Sequence, residues 1–242
     1  MARHAATQLV PAPGHAPLRI EWCMASPWVP PARGLHLDGL LGAALVERAL
    51  AKGRLAERAQ HSVDYDTVLQ EIPLTRFVPD GAAHRWVWAG SMLQPTVAGS
   101  ERRYMTTKTP VAAIAEYTDV GLLSPKGGAK VDTLRGYYKA GSFHYSLEYA
   151  TTVVAWCVGD PDLVADLLGD IYALGAKTRL GHGAIREVQG QLFTMNEDPA
   201  ALQHWSWRNM PLPLDDYEPA EGALRTPYWR RDRATALWRP IG

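Results

Sequence analysis

Two rhythms of apolar and polar positions run along this chain, one of period two and one near 3.6, and the switches between them outline its elements. Residues 18–26, LRIEWCMAS, combine bulky and β-branched apolar residues and end at Ser26-Pro27, which predicts a first strand. The next piece, SPWVPPARG, carries three prolines and cannot be helix interior. Further on, Leu37, Leu40, Leu41, Ala44, Leu45 and Leu50 recur at helical spacing, with Asp38 near the positive end of the dipole and Lys52 near the negative end. That predicts a first helix, weakened in isolation by Gly39 and Gly42, which suggest close backbone packing.

Residues 84–93, HRWVWAGSML, form another strand-like run with Trp86 and Trp88 on one face. Between Pro95 and Gly141 no period holds: basic, polar and glycine-rich pieces break up short apolar runs, as in a functional or mobile insertion. A long β-type run returns in FHYSLEYATTVVAWCVG, residues 143–159. Asp160 and Pro161 supply an N-cap and a first-turn proline for a second helix through DLVADLLGDIYALG, with Leu163, Val164, Leu167, Leu168, Ile171 and Leu174 on its apolar side. A glycine loop is expected to end that helix, and AIREVQGQLFTM to supply the closing strand.

The order predicts an α+β, ferredoxin-like (RRM-type) β-α-β-β-α-β core, with both helices on one face of the sheet. Residues 1–17 read as a flexible lead-in, 18–195 as the core with an insertion at about 95–141, and 196–242 as an extension. The extension is too proline-rich for long helices and too aromatic for disorder, so it should pack on the core or on a partner.

Composition narrows the function. Twenty-five Lys and Arg balance 25 Asp and Glu, which excludes a generally basic nucleic-acid coat and leaves local clusters to do any electrostatic binding. Such clusters stand at Arg102, Arg103 and Lys108, at Lys126, Lys130, Arg135 and Lys139, at Lys177 to Arg186, and at Arg230, Arg231 and Arg233. Cys23 and Cys157 lie in apolar runs and read as buried free thiols of a reducing compartment. The N-terminus has no secretory pattern and no apolar run reaches the roughly 20 residues that span a bilayer, so a cytoplasmic protein without membrane partners is expected.

The stretch richest in chemistry is LGAKTRLGHGAIREV, residues 174–188, where Gly175, Gly181 and Gly183 alternate with Lys177, Arg179, His182 and Arg186. Glycines permit close backbone approach, and cations in the same loop point to a phosphate-bearing ligand. The spacing is not that of a dinucleotide fingerprint, and the Lys-Ser/Thr ending of a triphosphate loop is missing, which favours a nucleic-acid backbone over a soluble cofactor. The same residues fit a helix C-cap glycine followed by an ordinary hairpin turn equally well. Aromatic residues beside basic ones add a second clue, since single strands are held by phosphate contacts together with base stacking. Tyr104 next to Arg102 and Arg103, Tyr137 and Tyr138 between Arg135 and Lys139, and Trp229 before Arg230 have that form, whereas Trp86, Trp88 and Trp156 are assigned to core. There is no Cys-x-x-Cys and no helical histidine pair for zinc, and Asp64 with Asp66 reads as a solvated turn; no metal or cofactor is expected.

The first strand, the proline loop, the HLDGLL helix opening at His36 to Leu41 and the glycine loop together resemble the RAMP superfamily of CRISPR proteins. HLDGLL, the length and the late MPLP and TPYWRR segments most resemble the type IV subunit that is the counterpart of the handle-binding, fifth-group effector proteins. The resemblance spans most of residues 18–240. It implies a non-catalytic subunit that grips the 5′ repeat-derived handle of guide RNA, caps the filament of backbone subunits and reaches them through a thumb within about 95–141. A large-subunit-like protein would be a further partner, and contact with target DNA near the motif-proximal end and recruitment of a helicase stay open. The implied RNA contacts are Gly175, Lys177, Arg179, Gly181, His182, Gly183 and Arg186, with His36, Arg102, Arg103, Tyr104, Lys126, Lys130, Arg135, Tyr138 and Lys139. Two other readings stand beside it: a metal-independent endoribonuclease using His36, His144 or His182 as acid or base, and a protein-interaction scaffold.

Overall fold

In the computed structural model of the chain the described residues are 9–56, 62–80, 83–107, 116 and 141–241. Their elements are β1 (Ala16–Cys23), α1 (Leu37–Ala51), α2 (Val63–Leu69), β2 (Arg76–Phe77), β3 (Val87–Trp88), β4 (Gln94–Thr107), β5 (Gly141–Gly159), α3 (Pro161–Leu168), β6 (Thr194–Glu197), α4 (Ala201–His204), β7 (Tyr217–Gly222) and β8 (Thr235–Pro240). The chain divides into two units, Met1–Gly99 with Glu148–Gly242, and Ser100–Leu147. The fold is mixed α and β, with antiparallel pairing in every ladder whose register is defined among the described residues.

Alternation builds the first unit. Leu18, Ile20 and Trp22 of β1 are buried while the residues between them are half-buried, so one strand face turns inward. β1 lies between β5 and β6, and the sheet order is β4-β5-β1-β6. Leu18, Ile20, Trp22 and Met24 meet Val153, Ala155 and Cys157 of β5, and onto this surface pack Leu37, Leu41 and Ala44 of α1 and Val164, Leu167 and Leu168 of α3. The two helices therefore cover the same sheet face. Arg48 of α1 joins them, pairing with Asp166 and Asp170 and donating to the Asp166 carbonyl at 2.7 Å. Val158 of β5 points the other way and joins Phe77, Val87, Ala89, Trp205, Met210, Leu224 and Leu237 in a second core. The residues after Asn196 thus supply most of the second apolar layer, closed by the β7–β8 hairpin.

Several elements are shorter than their patterns predict. The second helix stops at Leu168 with Gly169 as its cap instead of running to the glycine loop, and Leu163 is left exposed. Beyond it the backbone finds other partners: Leu174 N–H donates to the Gly183 carbonyl and Ala176 N–H to Val29, each at 2.8 Å. The closing strand shrinks to Thr194–Glu197 because Gln189 and Gly190, both at positive φ, turn the chain between the paired Val188 and Gln191. The run 84–93 is broken into a 3₁₀ turn at Ala83–Arg85 and the two-residue β3. Arg208 donates to the carbonyls of Trp88 and Gly90, at 2.6 and 2.9 Å, while the run keeps only single bonds to β5, Ser91 N–H to Trp156 and Val158 N–H to Ala89. Trp88 is core, while Trp86 and Trp156 are half-buried. Cys157 is buried, as expected, but Cys23 faces away from the helices and is half-exposed.

Arg208 and Asp38 are both fully buried and belong to one network. The second guanidinium nitrogen of Arg208 donates to the Leu224 carbonyl at 2.8 Å and to the Tyr228 hydroxyl at 2.6 Å, and stands 3.5 Å from Asp38. Tyr228 donates to Asp38 at 2.7 Å, and the Thr226 N–H does so at 3.2 Å. Removing one member of such a network strands a charge in the interior. Asp38→Ala is therefore expected to lower stability by about 3–5 kcal/mol, whereas Arg48→Ala, at the surface, lowers it by about 1 kcal/mol or less. Urea denaturation of the two variants measures the difference.

Candidate nucleic-acid interface

The 174–186 segment is held by the proline loop it faces. Gly183 N–H donates to the Pro27 carbonyl at 2.8 Å and Arg186 N–H to Cys23 at 2.7 Å, and Ala25 N–H returns a bond to Ala184 at 2.8 Å. Ser26 Oγ donates to the Gly181 carbonyl at 3.0 Å and accepts from Ala184 N–H at 2.9 Å. Trp28, buried between the loops and the sheet, donates its indole N–H to Glu148 at 2.9 Å. Two of the three glycines are there for this packing. A Cβ on Gly175 would lie 2.7 Å from the Val29 carbonyl oxygen, and one on Gly183 would fall 1.8 Å from that of Leu174. The freedom of Gly175 serves the meeting with the proline loop and that of Gly183 the close return of the segment on its own Leu174, with no space left for a ligand against either.

What projects is a single 3₁₀ turn, Thr178–Leu180, flanked by Lys177 at φ 61° and Gly181 at φ 83°. Lys177 and Arg179 are exposed on it, Arg186 is exposed on the outgoing chain, and nothing lies within 4 Å of a Cβ built on Gly181. His182 is buried, at 8 % exposure, which removes it from the surface that the cations share. The contrast between the glycines is testable by thermal denaturation. Gly181→Ala should cost about 1–2 kcal/mol for its left-handed backbone alone, and Gly183→Ala should cost more, because the Leu174 backbone that its Cβ would strike must also shift.

The second unit carries its own basic and aromatic surface. Arg102, Arg103 and Tyr104 are exposed on β4, the Tyr104 ring lies 5.7 Å from that of His144 on β5, and Phe143 is exposed. Cations beside open rings suit a single strand, which offers phosphates and base faces together. Lys126, Lys130, Arg135, Tyr138 and Lys139 lie outside the described residues.

His36 is corrected by its burial. Only 2 % exposed, its ring stacks on Tyr228 at 4.2 Å and 14°, and neither ring nitrogen has a hydrogen-bond partner. It anchors the helix start to the extension and is not presented to RNA. Burial, then the charges of Arg208 and Arg239, hold its pKa well below the ordinary 6.5. The folded protein keeps His36 neutral while the unfolded chain takes up a proton below about pH 6.5, so stability falls as pH drops from there toward the folded value. His36→Phe, which retains a ring against Tyr228, should remove up to about 1.4 kcal/mol per pH unit of that acid sensitivity, read from urea midpoints at about pH 7 and about pH 5.

Not every basic cluster is available. Arg230 is paired with Asp66 and Asp232, and Arg233 with Asp66, so Asp66 holds the chain end to α2. Three further cations, Arg85, Arg225 and Arg233, line one cleft together with His84. No single sequence window shows it, because residues 84–85 and 224–235 contribute together; the local signs are Arg225 in ALRTP and Arg233 in the late basic cluster. Among the described residues no three of His, Cys, Asp or Glu gather as a metal site, and no helix is long and apolar enough to cross a membrane.

These features define a mixed α/β protein that displays a fixed cationic turn and, on a separate unit, a basic aromatic ladder. The family model described as CRISPR type IV associated protein Csf3 matches residues 16–240, and the chain belongs to that family. Its place is thereby with the components of the type IV CRISPR complex. No curated protein matches the chain.

Proposed function

We propose that this protein is the non-catalytic guide-RNA-binding subunit of a type IV effector complex, gripping the 5′ repeat-derived handle and capping the filament of backbone subunits. The observation that carries the reading is the turn Lys177–Gly181, whose cations stand exposed on a backbone fastened at both ends by the proline loop. A preset turn of this kind binds a phosphate backbone with little ordering cost, while guide-RNA complexes leave sequence discrimination mainly to base pairing. The strand order supports a ferredoxin-like, RAMP-type scaffold: second, third, first and fourth strands of the sheet in that sequence, with both helices on one face. The Arg102, Arg103 and Tyr104 surface would add backbone and stacking contacts on the second unit. Partners in this reading are the guide RNA, the backbone subunit and the large-subunit-like protein, in the cytoplasm. Burial of His36 and His182 takes two of the three candidate acid–base histidines off the surface, since an acid or base must reach the 2′-hydroxyl or the leaving oxygen, and leaves the exposed His144 as the one a cleavage reading would use.

Labelled repeat RNA titrated with Lys177→Ala/Arg179→Ala/Arg186→Ala protein over a series of salt concentrations tests the assignment. Affinity should fall, and the slope of log K against log salt should flatten by about 0.7 for each phosphate the variant no longer neutralises. An unchanged affinity and slope would overturn it. On denaturing gels in EDTA the RNA should stay intact with the unaltered protein; defined fragments would make the protein a processing nuclease instead.

A further inference from the structure

Arginines from two distant regions of the chain meet in a cleft of about 270 Å³ lined by His84, Arg85, Leu224, Arg225, Arg233 and Thr235. Each arginine is held by the backbone. Arg85 donates to the Ala236 carbonyl at 2.6 Å, Arg225 to Trp86 at 3.2 Å, and Arg233 to Thr226 at 2.9 Å. Arg225 also lies 4.2 Å over the Trp86 ring, which Arg76 approaches at 4.6 Å. Arg233 has a carboxylate beside it, that of Asp66, whereas Arg85 and Arg225 have carbonyls. The Nε of Arg85 is buried with no partner.

We infer that this cleft is a phosphate-binding site, distinct from the 177–181 turn and sharing no residue with it. Three guanidiniums, one of them shared with a carboxylate, leave a net charge that suits a phosphate better than a single carboxylate. Carbonyls and the indole ring fix the arginines before any ligand arrives, so binding need not order them. Thr235 and His84 stand at the cleft as further polar groups for the anion's oxygens. The cleft is electrostatically crowded: burial, then Arg233 and Arg76, pull Arg225 below its ordinary value, against smaller opposing effects of Tyr228 and Asp38. An arriving anion relieves that repulsion. The phosphate is either borne by a nucleotide strand or free in solution, and the chemistry of the cleft is the same for both.

Isothermal titration calorimetry of the full chain with tripolyphosphate, at constant low ionic strength, provides the test. Saturable binding is expected, weakened about tenfold or more by Arg225→Gln, the weight of one hydrogen bond to a charged partner. Because Arg225 packs on Trp86, its replacement could disturb folding; His84→Ala, which removes an exposed side chain, should lower affinity several-fold in a protein with unchanged melting temperature. With the Lys177→Ala/Arg179→Ala/Arg186→Ala protein as host, so that the exposed turn contributes no phosphate contacts, saturable binding of the probe should persist, and failure here is separable from failure of the handle-binding reading. Absence of saturable binding, or folded cleft variants that bind undiminished, overturns the site. With that triple variant as host, displacement of the probe by a 5′-phosphorylated RNA tetramer assigns the cleft to strand phosphate, and lack of displacement assigns it to a free phosphate.

Discussion

The first unit depends on a charge placed where no water reaches it. Arg208 is wholly buried, and an isolated guanidinium there would cost several kcal/mol. It is tolerated because carbonyls of residues 88, 90 and 224, the Tyr228 hydroxyl and the Asp38 carboxylate surround it. Those acceptors come from the start of α1, the β3 region and the extension, so satisfying one side chain brings three parts of the chain into register. Buried polar groups are directional where apolar packing is not, and a network of this kind has few alternative arrangements. It also explains why the extension, despite its prolines, completes the second core instead of hanging free.

A similar economy of backbone positions the exposed turn. The proline loop cannot form a helix, and its carbonyls at Pro27 and Val29, with that of Cys23 at the end of β1, are open to the N–H groups of the glycine loop. Gly175 allows the two backbones to meet without a Cβ between them, and Gly183 lets the segment fold back onto its own Leu174. The result is a rigid stem under Thr178–Leu180, with Lys177 and Arg179 at its tip. Neutral overall charge is compatible with this, because the relevant field is local. Arg48, Arg54, Arg230 and Arg233 pair with carboxylates of the same chain, while the cations of the turn and of β4 are exposed.

Much of the architecture is legible from period and punctuation. The β1 alternation, the span of α1, the Asp160-Pro161 start of α3 and the long run into β5 are local properties, set by which side chains are apolar and by which residues can cap a helix. The exposed Lys177, Arg179 and Arg186 are legible too, because charged side chains between glycines have little other place to go. HLDGLL stands out in the sequence, but the face it presents does not: nothing local says that His36 will stack on Tyr228 or that Asp38 will meet Arg208, 170 positions away.

The sequence by itself therefore determined β1, α1, the start of α3, the β5 run, the neutral balance of charge and the identity of the cationic turn, since these follow from residue type and near-neighbour spacing. By contrast β4, inside the stretch that shows no period, did not announce itself. Tertiary structure alone decided where α3 stops, which glycines serve packing, which arginines are neutralised and which cations converge on the cleft of residues 84, 85, 225 and 233. The reason is physical. A hydrogen bond or ion pair between distant segments is chosen by competition among all the donors and acceptors that folding brings within about 3 Å of one another, and that competition has no period along the chain.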